Sequence, residues 1–151
     1  MNIKNWIIDN VLDHTIDTAI GDNKISNPLA DEIQKLVTVK ATSGGELSNE
    51  LLTMFDKEVN VELSMGKDFN DILEDPEFLE TLIGNMSFKI IERLNLSQVI
   101  AKAAAREQRG YKQEDILKGV KAEITDTPGY TADSYKSFDS LCESIMKNLD
   151  K

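Results

Sequence analysis

The chain has 151 residues, 40% of them hydrophobic and 29% charged, with a formal net charge of −10. Those values belong to a folded soluble domain rather than a disordered tail, and a chain this long buries roughly 68–70% of its unfolded surface without staples. The single Cys142 excludes an internal disulfide, no apolar run approaches the ~18 residues of a membrane span, and net acidity argues against a general nucleic-acid binder.

The opening "MNIKNWIIDNVLDHTID" does not read as a signal peptide, because Asn and Asp interrupt its apolar residues. It reads instead as an amphipathic helix over 2–20. Ile3, Ile7 and Val11 form one i, i+4 row, and Ile8, Leu12, Ile16 and Ile20 form the next. Asp9, Asp13 and Asp17 line the opposite face. "GDN" at 21–23 ends the helix, and Asn27-Pro28 starts another by the N-cap and first-turn proline logic. The Gly-Gly pair in "ATSGGELS" marks a loop at 41–48, and a third helix is expected over about 46–58. Strict alternation in "VNVELSM" and the β-branched "LVTVKA" also admit a minor two-stranded ribbon pairing 36–41 with 59–65.

Helical spacing then returns. Asp75-Pro76 opens a long helix that Gly84 weakens by ~1 kcal/mol relative to Ala. Asn95 and Gln98 suggest a capping box for a helix over 96–109, which Gly110 ends; 113–124 forms the next. Pro128-Gly129 suits a type II turn, and Thr131 caps a last helix whose core stripe includes Tyr135, Cys142 and Ile145. The expected fold is mainly α: a compact, bundle-like array of six or seven helices in one domain, 1–151. An N-terminal subdomain, 1–43, set off by the Gly-Gly loop is the variant of that reading.

Motifs that carry chemistry are missing from the pattern. Aligning Ile25 to the apolar position of a calcium-binding loop leaves only Asp22 in a ligand position. His14 is the sole histidine, too little provision for zinc. No nucleophile elbow, dinucleotide fingerprint or phosphate loop occurs. No catalytic residue, cofactor or metal is therefore assigned, and the chain is read as non-enzymatic. A carboxylate-based hydrolase is the alternative for which no residues can be named.

Charge is the informative signal. Residues 1–88 hold 6 Lys/Arg against 17 Asp/Glu, whereas 89–122 hold 8 against 4. All three arginines, Arg93, Arg106 and Arg109, fall in or just before the Ala-rich stretch "VIAKAAAREQRGYK". Lys89, Arg93, Lys102, Arg106, Arg109 and Lys112 define a candidate basic patch. Asp9, Asp13 and Asp17 define a candidate acidic face. Arginine's planar fork grips phosphate or carboxylate alike. A helix-turn-helix is disfavoured, because the candidate recognition helix begins with Glu114 and Asp115 facing the phosphates. The expectation is an acidic protein-interaction module, self-associating or binding and inhibiting a protein partner, with a cytoplasmic location and no membrane partner. A small nucleic-acid-associated regulator using residues 89–121 is the runner-up.

Overall fold

A computed structural model describes residues 2–43, 45–124, 143 and 145–147. Its first rod runs from Ile3 to Ile20 as α1 (Ile3–Ile7), a π-helical turn (Ile8–Leu12) and α2 (Asp13–Ile20). Asn2 caps the start by accepting the Asn5 N–H at 3.1 Å, and Gly21, at φ 52°, ends it. The helices that follow are α3 (Asn27–Ala41), α4 (Glu46–Ser64), α5 (Phe69–Glu74), α6 (Pro76–Leu94), α7 (Leu96–Gln108) and α8 (Gln113–Glu123). The mainly helical fold read from the sequence is what the chain adopts. Among the described residues there is no strand, and no helix is long and apolar enough to cross a membrane.

The ribbon of 36–41 with 59–65 is corrected: the first segment is the end of α3 and the second lies almost wholly in α4, which runs on past 58 to Ser64. The alternation misled because only some of those residues face inward. Val37 and Val59 are buried, while Val39 and Val61 are 62% and 42% exposed. Val59 lies one turn beyond the buried Phe55, so helical burial outweighs the small β-branched penalty, at most about 0.7 kcal/mol per residue.

One cluster of buried side chains runs from Ile3 to Ile124. Phe55 of α4 is fully buried and meets Trp6 of α1 edge to face, with ring centroids 5.2 Å apart. Such a pair contributes ~0.5–1.5 kcal/mol beyond its buried area. Ile145 and Met146, in a short helical stretch near the C-terminus, pack against the same cluster. The other positions of the expected last helix, with the expected Thr131 cap and Pro128-Gly129 turn and with Tyr135 and Cys142, lie outside the described residues.

Two of the buried polar side chains, Thr15 and Ser48, bond to carbonyls close to them in sequence. The Thr15 hydroxyl donates to the Val11 carbonyl at 2.7 Å, inside the wide turn of the first rod. Ser48 of α4 donates to the Ala41 carbonyl at 2.9 Å, closing the C-terminal end of α3. Both bonds supply partners that a dry interior otherwise withholds.

Two boundary expectations change. The N-cap of α3 is Ser26 rather than Asn27, which places Pro28 in the first turn; Pro there costs little because its missing N–H has no helical partner. Asn95 does not form a capping box. It takes the left-handed conformation, φ 51°, that closes α6, and its side-chain amide donates to Gln98 Oε1 at 2.9 Å instead. A Cβ added at Gly84 meets nothing within 4 Å, so no close helix contact requires that glycine.

Candidate functional site

Two of the three arginines are used inside the fold. Arg93, late in α6, reaches α4, where its guanidinium lies 3.0 Å from Glu46 and 3.5 Å from Glu50. Glu46 and Glu50 are one helical turn apart, so both carboxylates present to one guanidinium, the planar fork suited to such a grip. Arg106 crosses from α7 to α8. Its Nη1 sits 3.7 Å from Glu123 and lies over Gly119, where a Cβ would come within 2.9 Å of it. Both arginines are part-buried, so these contacts bind helix to helix.

The candidate basic patch therefore divides. Lys89 and Arg93 belong to the α6 surface beside α4. Lys102, Arg109 and Lys112 are exposed on α7 and the turn after it, and their side chains carry no hydrogen bond or ion pair among the described residues. Lys118 and Lys121 extend that exposed positive surface along α8. The helix-turn-helix geometry gains no acidic relief, since Glu114 and Asp115 occupy the first turn of α8.

The turn between α7 and α8 is held firmly. Tyr111 N–H donates to the Arg106 carbonyl at 3.1 Å and Gly110 N–H to the Glu107 carbonyl at 3.0 Å. With Gly110 at φ 85°, that is the two-bond Schellman closure of a helix end. In that motif the residue after the glycine usually folds an apolar side chain back over the helix. Here Arg106 occupies the position it would cover, and Tyr111 stays 53% exposed.

Nearby, Glu107 ties α7 to α3. Its two carboxylate oxygens accept from the Ser26 N–H at 2.8 Å and the Ser26 hydroxyl at 2.5 Å, while that hydroxyl accepts the Leu29 N–H at 3.4 Å. The N-cap of one helix is thus oriented by a carboxylate 81 residues away in sequence. A shallow groove of about 560 Å³ runs beside this clamp, between Asn23–Ser26 and Glu107–Gln108.

The acidic row also divides. Asp9, Asp13 and Asp17 are all exposed, but Asp9 lies within the π-helical turn and Asp13 begins the α-helix after it. Asp13 turns toward α3 and accepts a hydrogen bond from Gln34 Nε2 at 2.5 Å. It lines an open hollow of about 610 Å³ between the first rod and α3, with Asp31, Gln34, Ile8 and Val39 among the other lining residues. Asp9 and Asp17 lie outside the hollow, and their side chains have no hydrogen bond or ion pair among the described residues. Lys35, also at the hollow, pairs with Glu32 at 2.9 Å. Its ammonium pKa is raised, first by that hydrogen bond and then by the charge of Glu32. The hollow therefore brings Ile8 and Val39 together with Asp13, Asp31 and Lys35, and the Asp31 charge also contributes to raising the Lys35 pKa.

Asp31 and Gln34 escaped the sequence reading. Their only signal was the exposed side of 27–41, a face that α3 turns toward the first rod. His14 is exposed on the helix flank, as its place in the row suggested. Among the described residues, no three His, Cys, Asp or Glu side chains gather as a metal centre requires.

The fold and these surfaces define a mainly α-helical domain with an acidic hollow near one helix pair and an exposed basic turn at another. No protein-family model, curated protein or solved structure matches the chain.

Proposed function

We propose that this chain is a non-enzymatic, acidic protein-interaction module that works through its oppositely charged faces, either by self-association or by binding and inhibiting a partner protein. The observation that supports this reading is the division of the charges. Arg93 and Arg106 are held by Glu46, Glu50 and Glu123 within the fold. The exposed side chains of Lys102, Arg109 and Lys112, and those of Asp9 and Asp17, have no such partners among the described residues. Exposed charge of opposite sign on one molecule steers encounter and fixes register more than it adds affinity.

The nucleic-acid reading loses ground on the same observation. Each phosphate contact requires a free cation, and two of the three arginines of the 89–121 region are already engaged with carboxylates.

The test is capture on immobilised chain, from a second copy in solution and from a mixture of basic proteins, with and without Asp13→Lys plus Asp17→Lys. Loss of capture with an unchanged helical spectrum supports the acidic face as the docking surface. Unchanged capture removes it.

A further inference from the structure

The turn that carries the exposed Tyr111 and the hollow edged by Asp13 and Asp31 are opposite in charge. Tyr111 stands between Arg109 and Lys112 on a turn whose backbone is fixed by two hydrogen bonds and a left-handed glycine. Fixing the backbone beforehand lowers the ordering cost of any contact the turn makes. Tyrosine suits such a role, because its ring offers a large contact area with few rotatable bonds and its hydroxyl still finds a polar partner.

The hollow offers the matching features. Ile8 and Val39 form apolar surface, with Val39 62% exposed. Asp13 and Asp31 supply acceptors and two negative charges at the edge against the one positive charge of Lys35, and Gln34, bonded to Asp13, holds that carboxylate in place. Tyr111 does not line the hollow of its own molecule, so it is a second copy that can present it there.

From this complementarity we infer that two copies of the chain associate head to tail, the Arg109–Lys112 turn of one seated in the hollow between the first rod and α3 of the other. The ring of Tyr111 covers Ile8 and Val39, and Arg109 and Lys112 face Asp13 and Asp31. This rests on the self-association form of the proposed function and names its surfaces. A turn in a hollow uses two different patches, so the contact is heterologous and repeats into rings or open chains unless two copies satisfy each other reciprocally. A contact built from one short turn belongs with transient interfaces, and its charged rim makes it weaken with salt.

Sedimentation velocity of the full chain over a range of concentrations tests the inference, with three variants. These are Tyr111→Ala, the pair Arg109→Glu and Lys112→Glu, and the pair Asp13→Lys and Asp31→Lys. All five positions are exposed, and circular dichroism confirms the fold of each variant. The wild type should show mass increasing with concentration, and each variant should weaken association about tenfold or more. Mixing the two charge-reversed chains should restore assembly, because each then offers the other a complementary pair. Wild-type assembly that all three variants leave intact overturns the turn-in-hollow contact while leaving self-association standing. A wild type that stays monomeric at every concentration overturns both, and leaves only the partner-binding form of the proposed function to be read from capture.

Discussion

Two glycines inside helices provide a quantitative test of how Arg106 is placed. Gly84 in α6 has open space where a Cβ would stand, while the same atom at Gly119 in α8 would come within 2.9 Å of Arg106 Nη1. Replacing a mid-helix glycine by alanine gains about 0.5–1 kcal/mol from backbone entropy and helix propensity. Gly84→Ala should deliver that gain, a rise in unfolding midpoint of about 2–4 °C per kcal/mol for a chain of this size. Gly119→Ala carries the same gain, but the guanidinium must move off Glu123. That ion pair, at 3.7 Å with side chains 33% and 28% exposed, is worth about 0–1 kcal/mol after solvent screening. The two effects nearly cancel, so Gly119→Ala alone should leave stability close to wild type. In an Arg106→Ala background the obstruction is gone, and Gly119→Ala should recover the full gain. Urea unfolding followed by circular dichroism on the four chains of this cycle gives the coupling directly. If Gly119→Ala stabilises the wild type as much as Gly84→Ala does, Arg106 does not lie over α8 and the placement is wrong.

Other substitutions probe the remaining contacts. Ser48→Ala removes the donor to the Ala41 carbonyl in a buried position and should cost about 1–3 kcal/mol in urea unfolding. Asn95→Ala places a Cβ residue of lower left-handed tolerance at φ 51° and should cost about 1–2 kcal/mol, whereas Asn95→Gly should be close to neutral by the same measurement. Lys67 titrates above the ordinary 10.5 because its ammonium donates to Glu62. A raised folded value means that this pair is in place through neutral pH and is lost only as pH rises past 10.5. In Glu62→Gln the Lys67 titration, read by NMR, should fall back toward 10.5, and a titration that stays put would remove Glu62 as its cause.

Much of the architecture is written in local pattern. The 3–4 spacing of Leu29, Ile33 and Val37, or of Leu82, Met86 and Ile90, marks buried stripes that the helices do bury. Gly21 and Gly110 end their helices with the positive φ that favours glycine. The π-helical turn left no trace, because Ile7, Ile8, Val11 and Leu12 supply apolar residues to either register. The ribbon expectation failed where alternation and helical spacing share residues, at Val59 and Val61, and only packing separates them. The site was less legible. Arg93's partners lie on another helix far back in the chain, and the Glu107 clamp on Ser26 spans 81 residues, so no local spacing announces either. What could be read was the supply of charge. Its division into pairs within the fold and free surface is a property of tertiary packing.

Self-association through the opposite charged faces is tested most directly by the solution mass of the wild-type protein at low and high salt. The expected result is a weight-average mass above 16.9 kDa at low salt that grows with protein concentration and falls toward 16.9 kDa as salt screens the faces. A mass of 16.9 kDa at every concentration and every salt would contradict it.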